Sequence, residues 1–351
     1  MRAAVMCVFG LAALLVVGLA GVLMRGGDTL ASSVPVAHSA PSLASPNATS
    51  APATAAHVSL PASAESTGSI GLESSPLLVR KTPFADMPPC RNNPAVLGVS
   101  RVVEIDTTGG PGFGFEHFKE HDFLRDKEVV LTFDDGPWPH NTPAVLAALA
   151  AHCVKATFFP IGKHAMWHPE LLKQVAQAGH TIGSHTWSHA DLSKKSPEEA
   201  KREIEMGASA VHMAVGGPTA PFFRFPALRH PPEMVTYLGQ RSISIFSCDM
   251  DSIDFTMRKP EQVIRSVMTK LAKHGKGIIL MHDFQHATAE ALPELLNQLK
   301  ANGYKIVHMV SKASLQTISD YDEMVAKENK LPTVSTGPTS SVVRTITELP
   351  H

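Results

Sequence analysis

The chain has 351 residues, 44% of them hydrophobic, and a formal net charge of -1 at pH 7. That length can bury one sizeable core with a small companion. The near-neutral balance, with no Lys/Arg stripe interleaved with aromatics, argues against a nucleic-acid partner.

Residues 1–25 form the first element. Ala3 to Met24 is apolar throughout, with no charge between Arg2 and Arg25. Such a run can cross a bilayer as one helix. A cleaved secretory signal is the competing reading, but no clear small-residue cleavage site follows, which favours an uncleaved membrane anchor. Either reading exports the rest of the chain, to the periplasmic face of an inner membrane or to the outside. Residues 26–76 are rich in Ala, Ser, Pro and Thr and hold no aromatic residue. They cannot bury enough apolar surface to offset their ordering entropy, so they read as a disordered linker. Residues 77–126, with "VSRVVEIDTT", read as an extension packing on the domain that follows. Within them "GGPGFG", Gly109 to Gly114, reads as a flexible loop, because no strand-to-helix context makes it a phosphate cradle. Cys7 lies in the apolar N-terminal run. Cys90, Cys153 and Cys248 read as small buried hydrophobes, although export would permit one disulfide among them.

From Val129 onward short apolar runs alternate with helix-period segments. The predicted strands are Val129–Phe133, Ala156–Pro160, Thr181–Ser184, Phe222–Phe225, Ile243–Ser247, Gly277–Met281 and Lys305–Met309. Helix starts are marked by Thr142-Pro143, His168-Pro169 and Lys259-Pro260, and by the capping box Ser196 to Glu199. Gly179 and Gly303 read as helix stops. The alternation predicts a parallel α/β sheet, open or closed into a barrel. After Ser311 the chain turns polar, and residues 311–351 read as a tail.

In parallel α/β folds the carboxyl ends of the strands form the functional face. Here those ends carry Asp134-Asp135, His185, Arg224, Asp254 and His282. His185 and His189, four apart, can share a metal if the backbone makes one helical turn. The same H-x-x-x-H spacing recurs at His117/His121, His164/His168 and His282/His286. The first of these precedes the alternation, and the second lies in a predicted polar loop. His282/His286 is the rival pair, but only His185 has a glycine, Gly183, beside it to allow close approach. Two imidazoles and one carboxylate make a three-ligand site with an open position, the pattern of a catalytic zinc centre. The second carboxylate is then free to take a proton from water. H-E-x-x-H, G-x-S-x-G and H-x-H are absent.

The motifs "TFDDGP", "SHTWSH", "RFPA", "DSIDF" and "LMHD", in that order, resemble those of the polysaccharide deacetylases, the NodB-homology domain of carbohydrate esterase family 4. The resemblance covers roughly residues 127–310. It implies a distorted (β/α) barrel of about seven parallel strands and a divalent metal, usually zinc. It makes Asp135, His185 and His189 the metal ligands and Asp134 the general base, oriented by Arg224. His282 becomes the general acid, with Asp254 as its charge partner, and Leu280 lines the acetyl pocket. The implied reaction removes acetate from an N-acetylated glycan: a chitin-type oligomer, peptidoglycan or an exopolysaccharide. The third motif carries Ala227 where the family has an aromatic residue, whose backbone N–H helps bind the oxyanion. The fourth ends in Phe255 where the family has tryptophan. Both departures point to an altered substrate. Hydrolysis of an O-acetyl ester or another acyl bond by the same site, and glycan binding without turnover, are the alternatives.

Overall fold

The computed structural model describes Cys90 and residues 93–328. The anchor and linker expected over residues 1–76 lie outside the described residues. Among the described residues no helix is long and apolar enough to cross a membrane.

The extension supplies two strands, β1 (Val99–Ile105) and β2 (Gly112–Phe113). The alternation then runs β3 (Glu128–Asp134), α1 (Asn141–Ala151), β4 (Thr157–Phe159), α2 (Gly162–Trp167), α3 (Pro169–Gln177) and β5 (Thr181–Ile182). It continues with α4 (Pro197–Val215), β6 (Phe222–Phe223), α5 (Pro232–Gln240), β7 (Ser244–Phe246), β8 (Met250–Asp251) and α6 (Pro260–His274). Last come β9 (Gly277–His282), α7 (His286–Ala301), β10 (Lys305–Ser311) and α8 (Ser319–Glu328).

Every strand pairing is parallel. β3 pairs with β4, β4 with β5, and a bridge from Ser184 to Phe223 carries the contact to β6. β6 pairs with β7, while on the other side β8 pairs with β9 and β9 with β3. The circuit is an α/β barrel left unpaired between β7 and β8. The extension occupies this seam: β2 pairs with the edge of β7, and Asp249 accepts hydrogen bonds from Phe115 N–H and Ile278 N–H, both at 2.6 Å. β10 stands outside the circuit, pairing with β1 and with the first two residues of β3. The seventh strand of the ring is therefore β8, two residues long, and not the predicted run at Lys305.

β3 is buried along its whole length because the ring surrounds it, so it reads as one apolar run. The core around it joins Leu131, Phe133, Leu149, Ile279 and Leu292. The capping box of α4 forms as expected, with Ser196 and Glu199 exchanging bonds. Three expectations are corrected. Gly112 and Phe113 of the predicted flexible loop form β2. Cys90 and Cys153 form a disulfide, their Cα atoms 5.5 Å apart, while Cys248 is a buried free thiol. Part of the expected polar tail is α8, whose Val325 is fully buried against Met206 and Ala210 of α4.

Candidate active site

β3 delivers both aspartates, and the backbone parts them. Asp134 ends the extended strand, whereas Asp135 adopts a left-handed φ of 72°. Turning into that conformation costs a non-glycine residue energy that the surrounding fold must supply. His164, on α2, secures the turn by donating from Nδ1 to Asp135 O at 2.6 Å. His164 stands on a helix, not in the expected polar loop; α2 begins without the side-chain cap that would announce it.

His185 and His189 follow β5. A Cβ on Gly183 would come within 2.6 Å of Phe222 O, so glycine is required for this close approach. The two histidines come together through a tight turn with Thr186 and His189 at positive φ, and not through the helical turn expected from their spacing. Helix α4 fastens the turn: Glu203 accepts from Ser188 N–H at 2.9 Å and from Ser188 Oγ at 2.8 Å. His189 N–H donates to Thr186 Oγ1 at 3.0 Å.

Asp135 Oδ1 lies 3.6 Å from His185 Nε2 and 3.5 Å from His189 Nε2, and the three ligand atoms are all within 4.8 Å of one another. The Asp135 Oδ1 atom is buried and has no hydrogen-bond partner. An orphaned buried carboxylate oxygen needs a partner, and here it faces two imidazole nitrogens. His185 Nδ1 must carry its proton, because it donates to the carbonyl oxygen of Arg224 at 2.7 Å. That leaves the Nε2 lone pair free when the ring is neutral. Burial favours the neutral ring, pushing His185 down to about 3. The donor set, the orphaned oxygen and the fixed tautomer together fit a divalent cation.

Behind this group sits Arg224, fully buried on the chain following β6. Its guanidinium donates to Asp134 Oδ1 at 2.7 Å, to Thr132 Oγ1 at 2.7 Å, and to the carbonyl oxygens of Phe246 and Ser247 at 3.1 and 2.8 Å. Burial pushes the Asp134 carboxyl above its ordinary value, and the Arg224 charge pulls against that.

Opposite stands His282 at the end of β9. Asp254 accepts from His282 Nδ1 at 2.6 Å and from the His282 backbone N–H at 2.8 Å, and Thr288 Oγ1 donates to it as well. Burial works against the imidazolium, but the Asp254 carboxylate outweighs it and lifts His282 to about 9. His282 Nε2 is 3.9 Å from Asp135 Oδ2. The rival His286 turns away, its Nε2 3.1 Å from Glu290 on α7.

Asp134, Asp135, His185, His189 and His282 border one pocket of about 630 Å³. Ala227, Phe255 and Leu280, expected to meet substrate, all line it. Ala227 and Leu228 both have positive φ, 51° and 53°. Phe255 is 53% exposed, its ring edge-on to His282 at 5.6 Å. Several contributors are not among the site residues expected from the five motifs, Arg229 and Asp251 of the pocket lining among them. Thr288 and His164 brace site residues, while Glu116 and His117 line the pocket from the segment after β2. Only His117 and His164 stood out in the sequence, through a spacing that recurs too often to discriminate.

The fold and the site define a class, and comparison with known proteins agrees. A family model described as polysaccharide deacetylase matches residues 122–243. The peptidoglycan-N-acetylglucosamine deacetylase PgdA of Listeria monocytogenes is 35% identical over 187 residues, covering 52% of this chain and 38% of that protein. A peptidoglycan-N-acetylglucosamine deacetylase of Bacillus cereus is 30% identical over 188 residues, covering 52% of this chain and 67% of that one. Among solved structures, a peptidoglycan deacetylase of Bdellovibrio bacteriovorus superposes with a TM-score of 0.57 at 31% identity, covering 65% of this chain and 63% of that one. The chain belongs to the polysaccharide deacetylase family. It spans little more than a third of the length of the Listeria relative.

Proposed function

We propose that the protein hydrolyses N-acetyl groups on an envelope or extracellular glycan, releasing acetate and leaving a free amine. One observation carries the reading: a buried carboxylate held by arginine and an imidazole held by a carboxylate face one Asp–His–His group across a single pocket. The relatives named as peptidoglycan deacetylases support peptidoglycan as the first substrate class to test.

Asp135, His185 and His189 would hold a divalent cation, with zinc suited to two imidazoles and a carboxylate; when bound it supplies a Lewis acid that acidifies water and polarises a carbonyl. Asp134 accepts the proton of the water that attacks the acetyl carbon. A general base works best with a pKa near the operating pH, so a carboxyl pushed upward by burial suits the task. Arg224 fixes its orientation. The carbonyl oxygen gains negative charge as the carbon becomes tetrahedral, and the Ala227 backbone N–H is the donor assigned to it. His282, protonated through Asp254, then passes a proton to the amine nitrogen as the C–N bond breaks. Leu280 borders the methyl group.

We assign residues 1–25 as an anchor or signal, 26–76 as a linker and 127–310 as the catalytic domain. The Cys90–Cys153 disulfide supports an oxidising compartment and therefore export.

Acetate released by the purified chain from N-acetylglucosamine oligomers and from peptidoglycan tests the reading. Release should stop on chelation. It should fall by roughly 10²- to 10⁴-fold in Asp134→Asn, the usual worth of a general base, while the variant still takes up zinc. No acetate from any amide substrate by zinc-loaded protein would sink it.

A further inference from the structure

Glu116 and His117 lie ahead of the family match, yet both line the pocket that holds Asp134, Asp135 and His282. Their placement is built into the backbone. β2 lies against β7, and Ser247 N–H donates to Phe113 O at 2.8 Å. Gly114 follows with a φ of 99°, and a Cβ there would sit 2.7 Å from Cys248 N, so a side chain is barred. The chain then turns back on itself. Phe118 N–H donates to Gly114 O at 2.8 Å, and Glu116 N–H to Cys248 O at 3.1 Å.

The two side chains are fixed as well. His117 Nδ1 and Ser247 Oγ share a hydrogen bond of 2.7 Å, and the imidazole rests 4.4 Å from the His230 ring. Cys248 Sγ donates to Glu116 Oε2 at 3.1 Å. Ser247 is also the residue whose carbonyl receives the Arg224 guanidinium, so His117 is registered to the backbone that orients Asp134. Each side chain keeps one polar atom for something else: Nε2 of His117 and Oε1 of Glu116, both on exposed residues.

We propose that Glu116 and His117 form a hydroxyl-binding subsite for a pyranose ring adjoining the acetylated one. A carboxylate oxygen that accepts, beside an imidazole nitrogen held at a fixed angle, matches a pair of sugar hydroxyls. Pre-fixing both groups lowers the ordering cost of binding. The extension thus supplies recognition to a site whose reacting groups come from the barrel. In naming a sugar as the ligand, the subsite rests on the glycan reading above.

The test uses the purified, zinc-loaded chain with the N-acetylglucosamine tetramer and 4-methylumbelliferyl acetate, an acetyl ester without a sugar. Glu116→Ala and His117→Ala should each raise the tetramer Kd by roughly tenfold, the worth of one good hydrogen bond to a charged or fixed partner. They should also lower kcat/KM for the tetramer about tenfold relative to kcat/KM for the ester, through KM, with the thermal midpoint reporting an intact fold. An unmoved Kd in both variants overturns the subsite. So does a parallel fall on tetramer and ester, which would mean that the segment only supports the strand beneath Arg224. A wild-type chain that fails to bind the tetramer overturns it too. A wild-type chain that binds the tetramer but releases no acetate defeats the deacetylase reading instead, and the Kd comparison still decides the subsite.

Discussion

On the proposed function the pocket divides into a reacting half, built from the ends of β3, β5, β6, β8 and β9, and a recognising half, built from the loops around Ala227 and Phe255 and from the segment after β2. In the reacting half Asp134, His185, Arg224 and Asp254 are buried, and each has a named partner for its charge or its proton. In the recognising half Glu116, His117, Ala227 and Phe255 are exposed. The contrast follows from what each half must do. Charge developing at a reacting bond is best met by groups already oriented in a water-poor site, which demands burial and second partners. Sugar recognition needs reachable hydroxyl partners and apolar faces, which tolerate exposure and substitution. The two departures from the family motifs fall in the recognising half, where change leaves the buried networks untouched.

If that division is real, the largest effect comes from opening the buried network itself. Arg224→Met removes the guanidinium that serves Asp134, Thr132 and two backbone carbonyls at once. Breaking a buried pair by deleting one partner costs about 3–5 kcal/mol. For a domain of this size the thermal midpoint should fall by on the order of 10 °C. Scanning calorimetry or a dye-monitored melt reads this directly. Arg224→Lys should recover only part of the loss, because an ammonium cannot reproduce a planar fork of donors. A midpoint within a degree or two of wild type would mean that the network is ornamental and the comparison false.

The next effect is on pH dependence. In the proposed mechanism His282 is the acid and must be protonated, so activity should decline as pH rises through its pKa, near 9 while Asp254 supports it. Asp254→Asn removes the carboxylate that raises that value, leaving burial, which lowers it. The alkaline limb of kcat should therefore move to lower pH, and kcat at pH 8 should fall about tenfold or more. A limb that stays in place would assign the alkaline transition to another group. Asp134 works in the opposite sense. Burial raises its pKa, so the acidic limb should sit above the usual carboxylate range and reflect loss of the ionised base as pH falls.

The same division decides what could be read from sequence. Residues of the reacting half come at strand ends, and the strands are fully buried apolar runs, so the position of Asp134, His185 or His282 followed from locating the run before it. β1 gives no apolar run because Ser100, Val102 and Glu104 alternate outward on an exposed face, while the inward Arg101 pairs with Glu128. β8 was missed because two residues, Met250 and Asp251, make no run at all. The Cys90–Cys153 bridge joins residues 63 apart, a separation without any local signal. The left-handed turns at Asp135, Thr186, Ala227 and Ile253 were equally invisible, since none has the glycine that would announce them. Glu116 has nothing in its own segment to mark it, and His117 has only an H-x-x-x-H spacing that recurs too often to discriminate. They matter only because β2 is laid against β7.

Phe255 gives the smallest effect and the sharpest boundary between the halves. Its ring meets the His282 imidazole edge-on at 5.6 Å, so it touches the acid without bonding to it. Its exposed face is free to pack on a sugar ring, and such a contact, set equal to an aromatic pair, is worth about 0.5–1.5 kcal/mol. Phe255→Ala should therefore raise KM for a glycan oligomer by roughly three- to tenfold, with kcat within about twofold and the alkaline limb unmoved. Phe255→Trp should hold KM near wild type or lower it, because the larger face and its N–H donor both favour a sugar ring. Burial lowers the His282 pKa and the Asp254 carboxylate outweighs it, and the substitution leaves the bond to Asp254 in place. If Phe255→Ala instead lowered kcat and moved the limb upward, the exposed ring would be shielding the imidazolium from water, because burial lowers its pKa. Recognition and reaction would then share a residue, and the line between the two halves would run through Phe255 and not beside it.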